Sequence, residues 1–412
     1  MARGTHYIGI DVGSSVVRVV VASLEAGQDE PTILGVGACP MAGMQKGVIT
    51  DVEEAAAAMT RALDVAERIS GVPVERAYVS INGSHISSQN SRGVIAVSRA
   101  DGEITPDDVA RVINAAQAIS MPNNREILHV LPQNFLVDGQ EHIHDPIGMT
   151  GVRLEVETHI IEGSAPFIKN LAKVVNQAGV HIEDFVFSPL AASAGVLEKR
   201  QKELGVALVD LGAGTTSLVV YEEGRLLHTA VLPVGSSHIT NDIAIGLRTS
   251  IDIAEAIKVE HGTALAAAVK ENEMIVVQAD SSEQESVSRK EVANIISARL
   301  EELFQFVDRE LKRVNRSGLL PAGVVLTGGG SHMEGVVELA KKKLRLPVKV
   351  GRSRDLPGLS EKTQEPSYAV AIGLIYWAME QERRPAGRIQ MSMPDIGNTV
   401  HKVKDWFRTF LP

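Results

Sequence analysis

The segments Asp11-Val-Gly-Ser-Ser15 and Asp210-Leu-Gly-Ala-Gly-Thr-Thr216 constrain this chain most, because they are two copies of one device. Each follows a β-branched run, Tyr7-Ile-Gly-Ile10 and Val206-Ala-Leu-Val209. Each leads into another, Val16-Val-Arg-Val-Val-Val21 and Ser217-Leu-Val-Val-Tyr221. Strand, acidic residue, small-residue turn and strand thus recur about 200 residues apart. A glycine-containing hairpin turn can aim several backbone N–H groups at one anion. Glycine also lets the backbone approach a phosphate without a Cβ clash. One copy alone reads as an ordinary tight turn. Two copies at matching places read as a pair holding a polyphosphate between two halves, with Asp11 and Asp210 facing its metal.

A third turn extends the pattern. Val324-Val-Leu-Thr-Gly-Gly-Gly-Ser331 follows a buried-strand run and predicts a helix from Met333 to Leu344, whose N-terminal donors suit a phosphate or an edge-on nucleotide. The chain has no Gly-x-x-x-x-Gly-Lys-Ser/Thr segment and no Gly-x-Gly-x-x-Gly after its first strand, which argues against a P-loop and a Rossmann site.

Composition narrows the class. The 412 residues are 44% hydrophobic, enough for several domains with apolar cores. The single cysteine, Cys39, excludes an internal disulfide framework and fits a reducing cytoplasm. The start runs directly into a strand without a signal peptide, and no run of about 18 apolar residues is present. A net charge of −10 argues against a nucleic-acid binder. From Glu380 onward six basic residues oppose four acidic ones, giving +2 and leaving −12 on the preceding body.

Along the chain, the spacing predicts a helix Val52 to Ser70 capped by Asp51 and stopped at Gly71, then a strand Ala77 to Ile81. Residues 84–162 change character, with short strands, many turn residues and one helix opened by Thr105-Pro106. They read as an inserted small α+β module. A helix Ala165 to Gly179, a strand Glu183 to Phe187 and a helix Pro189 to Leu204 follow. The second half brings hairpin strands from Val206, helices Ser236 to Leu247 and Ile251 to His261, and a polar tract, Asp280 to Ser286, expected to be a loop. A long helix over 289–314 keeps apolar residues at helical spacing. A last helix, Ser367 to Met379, precedes a Pro/Gly-rich linker, 381–398.

In order, these segments resemble the actin/Hsp70/sugar-kinase ATPase superfamily: Ile8 to Ser15 and Val209 to Thr216 as phosphate motifs, Leu326 to Gly330 as the adenosine motif, and Pro189 to Gly195 and Tyr368 to Leu374 as connecting helices. Within it the chain resembles the FtsA family of actin-like bacterial cell-division proteins, through Gly47-Val-Ile-Thr-Asp51, His129-Val-Leu-Pro-Gln133, Asp145-Pro-Ile-Gly148, Ala254 to Gly262 and the C-terminus.

The resemblance implies an α/β, actin-like two-lobed ATPase fold with an inserted α+β subdomain and a C-terminal amphipathic helix. Its first lobe would be 1–83, 163–197 and 365–380, and its insertion 84–162. The second lobe would have a core of 198–237 and 315–364 and a small subdomain of 238–314. It implies ATP, with Asp11 and Asp210 near Mg²⁺ through water. Gly13, Ser14, Ser15, Gly212, Gly214, Thr215 and Thr216 would contact phosphates. Gly328, Gly329 and Gly330 would flank the adenosine, and Glu255 and Lys258, three apart on one helical face, its ribose and base. A solvated surface pair is the competing reading of Glu255 and Lys258. The implied partners are the C-terminal tail of FtsZ, the tubulin-like division protein, on a face including Arg299, Glu302 and Arg309; other copies of the chain in a filament; and later division proteins through 84–162.

One departure stands out. Hydrolytically active bacterial actin-like filament proteins commonly carry an acidic residue before the Pro of the first connecting helix, where this chain has Ser188. A hydroxyl is a poor base at neutral pH, and general-base help is worth roughly 10²–10⁴-fold. The expectation is tight ATP binding with at most weak ATPase activity.

The end of the chain forms its own unit. Val400, Val403, Phe407 and Phe410 fall on one helical stripe, with Trp406 and Leu411 alongside; His401, Lys402, Lys404, Asp405 and Arg408 lie opposite, and Thr399 can cap the start. An aromatic face, a basic face and a preceding linker predict a helix lying in an anionic membrane interface, on the cytoplasmic side at the division site; docking on the body is the alternative. His142 and His144 read as surface residues rather than metal ligands, and Cys39 as inert. A sugar or acid kinase, or a pilus-assembly protein of the same fold, are the rival functions. Neither has an evident use for the basic terminus, and a kinase would need a cleft Asp.

Overall fold

The computed structural model describes residues 4–118, 122–278, 284–354, 356–358 and 360–383. The chain starts as a meander of β1 (Thr5–Val12), β2 (Val16–Leu24) and β3 (Thr32–Pro40), because apolar residues on both faces favour a covered sheet. A ribbon of β4 (Met44–Gln45) and β5 (Val48–Ile49) leads to α1 (Val52–Ser70), and β6 (Arg76–Ile81) returns parallel to β1. The Asp51 carboxylate caps α1 by accepting from the N–H groups of Glu53 and Glu54, and Gly71 ends it in the left-handed region at φ 70°. The face α1 buries is rich in alanine, which lets β3 approach closely.

The module follows: β7 (Ser87–Ala96), α2 (Pro106–Gln117), β8 (Arg125–Val137), β9 (Gln140–Ile143) and β10 (Arg153–Ser164). Its antiparallel sheet has the order β7-β10-β8-β9. Ile104, Val112, Leu154, Val156 and Ile160 give it a core of its own. Thr105 and Asp108 cap α2 reciprocally. The chain re-enters the first lobe through α3 (Ala165–Gln177) and β11 (His181–Phe187), completing the order β3-β2-β1-β6-β11.

Next, α4 (Ser188–Val196) crosses to the second lobe, which holds α5 (Lys199–Leu204), the meander β12 (Val206–Leu211), β13 (Thr216–Glu222) and β14 (Arg225–Leu232), α6 (Ser236–Leu247), α7 (Ile251–His261), the ribbon β15 (Met274–Gln278) and β16 (Gln284–Ser288), and α8 (Arg289–Arg313). Its sheet is completed by β17 (Val324–Thr327) and, after α9 (Val336–Leu344), by β18 (Val348–Val350). The order β14-β13-β12-β17-β18 repeats the first sheet's plan: an antiparallel meander, then two parallel strands beyond its first strand. Finally α10 (Ser360–Thr363) leads to α11 (Ala369–Arg383), which packs on α4. There the helices nearly touch. A Cβ on Gly373 would lie 1.8 Å from the Ala191 carbonyl oxygen, and a Cβ on Gly195 would lie 3.1 Å from Gly373 Cα.

Four local expectations are corrected. Residues 284–286 of the polar tract belong to β16, whose backbone pairs with β15. The helix expected to run from Pro189 to Leu204 breaks at Leu197, which turns to an extended conformation and is buried, before Glu198 caps α5. The helix expected from Met333 starts at Val336, because the glycine turn tightens into a 3-10 segment (Gly329–His332) and Gly335 takes φ 77°. The last helix starts at Ala369 and runs on to Arg383, so 381–383 of the expected linker are helical. Residues 384–412 lie outside the described residues, among them the expected amphipathic helix. Among the described residues no helix is long and apolar enough to cross a membrane.

Candidate functional site

The duplicated plan places the two hairpin turns face to face. A Cβ on Gly214 would meet Ser14 Oγ, and the N and Cα of Lys46, each at 2.9 Å. Ser14 Oγ in turn accepts from the Gly47 N–H at 2.9 Å, so the ribbon between β4 and β5 closes over the first turn. Asn82, just past β6, donates from Nδ2 to Ser217 Oγ at 3.0 Å and links the two sheets beside the turns. A cavity of about 110 Å³ remains between them, lined among others by Asp11, Gly13, Asp210, Gly212, Thr215 and Gly328.

Asp11 and Asp210 form the floor. Each is 8% exposed. Burial pushes both carboxyls above the usual range. Asp210 rises to about 7, with the charge of Asp11 adding to burial, while Arg18 pulls both down. Ser80 Oγ donates to Asp11 Oδ1 at 2.9 Å and accepts from the Val12 N–H at 2.9 Å, fixing one carboxyl. A Cβ on Gly328 would lie 2.2 Å from Asp210 Oδ1, so the third turn presses on the other. Two buried carboxyls, the charge of Asp11 opposing the ionisation of Asp210, make a fitting pair for a hard divalent cation with its water shell.

A second cavity, about 450 Å³, adjoins the first and shares Ser15, Ala213, Ser236 and Gly329 with it. Gly330, Met333, Leu300, Glu255 and Lys258 line it. Its volume falls in the range of small-ligand sites, roughly 300–1,000 Å³. Of Glu255 and Lys258 only the lysine is buried: its Nζ donates to the exposed Glu255 carboxylate at 2.6 Å and to Thr240 Oγ1 at 2.9 Å.

Of the expected contact residues, Gly13, Ser14, Ser15, Gly212, Gly214, Thr215, Gly328 and Gly329 line the smaller cavity, and Gly330 the larger. Thr216 lines neither; it opens β13, paired with Leu211 and fully buried. Arg18, Gly47, Asn82 and Ser236 also line the smaller cavity and escaped the sequence reading. Arg18 carried a signal, a lone charge within an apolar strand run; the others come together only through topology.

Ser188 sits at the cavity edge, buried, its Oγ donating to the Ile81 carbonyl at 3.3 Å. On the outer surface, Arg299 forms a two-pronged ion pair with Asp242 of α6 at 2.6 and 2.8 Å, which holds α8 to α6, and also binds Glu302 on its own helix. The Arg309 guanidinium lies over the Phe306 ring at 5.3 Å. His142 is exposed, and His144 bonds Arg225 at 3.0 Å. Cys39 Sγ accepts from Arg61 Nε at 3.3 Å.

Comparison with known proteins agrees with this architecture. The family model "Cell division protein FtsA" matches residues 207–373, and "SHS2 domain inserted in FTSA" matches residues 83–162. The chain is 40% identical over 396 residues to the cell division protein FtsA of Bacillus subtilis, covering 96% of this chain and 88% of that one. It is 38% identical over 382 residues to that of Pseudomonas aeruginosa, covering 92% and 90%. With that of Escherichia coli K12 it shares 33% over 410 residues, 97% of each. Among solved structures, the PilM-PilN type IV pilus biogenesis complex matches with a TM-score of 0.65 at 17% identity, over 90% of this chain and 97% of that one. MreB5 of Spiroplasma citri bound to ADP matches at 0.52 and 14%, over 92% and 96%. At such identities these two likenesses show the fold alone. The paired lobes, the inserted module and the near full-length relatives together place the chain in the FtsA family, as an actin-like cell-division protein.

Proposed function

We propose that the chain binds ATP with magnesium between its two hairpin turns, polymerises, and tethers filaments of FtsZ to the cytoplasmic face of the membrane through residues 399–412. The observation that carries the nucleotide reading is the facing of Ser14 and Gly214 above the buried pair Asp11 and Asp210. Backbone N–H groups of both turns would hold phosphate oxygens, while Asp11 and Asp210 hold the hydrated metal, which would neutralise phosphate charge. The larger cavity takes the nucleoside, with Glu255 and Lys258 at its wall. The S. citri MreB5 structures of this fold are bound to ADP and AMPPNP, which supports the choice of ligand. No carboxylate stands at Ser188 to orient a water, so nucleotide acts as an assembly ligand rather than a fuel.

The proposed tether combines six apolar side chains with a basic face. Fully burying one large apolar side chain contributes roughly 1.5–3 kcal/mol, and ordering a residue costs roughly 1–2 kcal/mol before its hydrogen bonds offset it. A single tail therefore binds weakly, and several on one filament bind tightly because later contacts become intramolecular. The face of α8 carrying Arg299, Glu302 and Arg309 is the proposed seat of the FtsZ tail. Residues 84–162 are the proposed contact for later division proteins; α2, β8 and the 144–147 loop of this module line a cavity of about 390 Å³ that α11 closes with Trp377 and Gln381.

Calorimetric titration of ATP with magnesium tests the nucleotide reading. One site per chain is expected, and Gly214→Val, which would push a side chain into Ser14 and Lys46, should weaken it tenfold or more, roughly the loss of one charged hydrogen bond. A folded wild-type chain that takes up no nucleotide contradicts it.

A further inference from the structure

We propose that Ser80 and Asn82, at the tip of β6, are positioning residues that set the gap between Asp11 and Asp210 in which the metal is received, an assignment that rests on the nucleotide reading above. β6 runs parallel to β1, with Tyr78 opposite Gly9 and Val79 opposite Ile10, so Ser80 comes beside Asp11. Ser80 is fully buried, and its hydroxyl is committed twice. It accepts from the Val12 N–H, and its one proton goes to Asp11 Oδ1. That oxygen is thereby taken, and no other hydrogen bond reaches the Asp11 carboxyl among the described residues. Asp210 has no such guide. Among the described residues no hydrogen bond reaches its carboxyl, so its place follows from its strand and from the spacing of the lobes.

Asn82 holds that spacing. Its Oδ1 accepts from the Gly83 N–H at 2.9 Å, which turns Nδ2 toward Ser217 Oγ, 3.0 Å away on β13. Ser217 is fully buried and stands directly opposite Asp210 in the β12–β13 register, and opposed residues of an antiparallel pair share a face. The bond therefore ties the first lobe to the strand pair that carries Asp210. The tip has no room to withdraw. Ser188 of α4 holds the Ile81 carbonyl, and a Cβ on Gly47 would lie 2.4 Å from Gly83 Cα. Residues 80 and 82 of one strand end thus reach both acidic strands, one in each lobe. Magnesium demands near-ideal octahedral geometry, so the spacing of the two carboxyls decides how well the hydrated ion seats.

The test is calorimetric titration of the full-length chain with ATP, in EDTA and in magnesium, for the wild type, Ser80→Ala, Ser80→Thr and Asn82→Ala, each with a melting curve. The quantity read is the factor by which magnesium strengthens ATP binding. Ser80→Ala should cut that factor roughly tenfold, the usual loss when a partner of a metal-holding group is removed. Asn82→Ala, which loses a neutral bond, should cut it roughly threefold. Ser80→Thr keeps the hydroxyl and should retain most of the factor. A factor unchanged in either alanine variant overturns the assignment, including the case where ATP affinity falls equally in EDTA and in magnesium, which marks a structural prop. So does a threonine variant that melts like the wild type yet is as poor as alanine; should threonine not fold at all, Asn82→Ala still decides. A wild type that takes up no ATP in either buffer sinks the nucleotide reading itself. One that takes up ATP equally in both leaves nucleotide binding standing and sinks this assignment.

Discussion

Gly328 shows how little room the site leaves for a single side chain. At φ 80° with Asp210 Oδ1 2.2 Å from where a Cβ would sit, Gly328→Ala adds backbone strain to a clash. Overpacking alone costs roughly 1–3 kcal/mol, so the urea midpoint should fall and ATP affinity with it; an unaltered midpoint would mean that the turn moves freely. Ser188 makes the second residue-scale prediction. Steady-state ATP turnover should stay well below roughly 1 s⁻¹, the lower end of ordinary enzymes, and a faster measured rate would show that some other group activates water. At this scale the glycine turns were legible because the device occurs twice, each time after an acidic strand end. Thr216 falls outside both cavities because composition does not mark where a turn ends and its strand begins. Asn82 and Ser236 carry no sequence signal, since sheet pairing and the α6 start bring them to the cavity.

Two buried histidines, His129 and His159, and the half-buried His85 fasten the inserted module. The His85 ring faces Phe167 of α3, His129 accepts from the Phe187 N–H at 3.0 Å, and His159 bonds Asn90 and Thr229 at 2.7 and 2.9 Å, reaching the second lobe's edge strand. Burial lowers each to about 4, with Arg125 adding to the effect on His85 and His228 on His159. Their folded values lie below the ordinary 6.5, so the stability they contribute is complete above pH 6.5 and is lost as pH falls toward 4, because the unfolded chain takes up the protons. His129 and His159 are 6% and 2% exposed, and each adds up to ~1.4 kcal/mol per pH unit in that window. Urea unfolding at pH 7.5 and 5.0 should show this fall, with a shallower one in His159→Gln; equal slopes would remove His159 from the account. The connecting helices make a second prediction. Gly373→Val should drive α11 from α4 and lower the melting temperature by several degrees, as a loss of ~1–3 kcal/mol implies. An unchanged melting curve would show that the crossing is loose. Capped helices such as α1 and α2 could be read residue by residue from Asp51 and Thr105. The break at Leu197 could not, because burial of that side chain, not local propensity, ends α4. Nor could β16, whose polar residues pair through their backbone.

At the scale of the molecule, two sheets of one plan are joined by α4 and α11, and the repeat already visible in the sequence is what makes the cleft. The basic, aromatic C-terminus belongs to the membrane half of the account. Removing residues 399–412 should leave ATP affinity unchanged and release the chain from anionic liposomes; equal pelleting with and without those residues would place the membrane contact elsewhere. The central claim is that opposed hairpin turns hold one nucleotide. A structure determined with AMPPNP and magnesium tests it most directly. The account predicts the triphosphate between Ser14 and Gly214, the metal facing Asp11 and Asp210, and the nucleoside beside Glu255 and Lys258. Density for the nucleotide at any other place, or the two turns bare and apart in its presence, would contradict it.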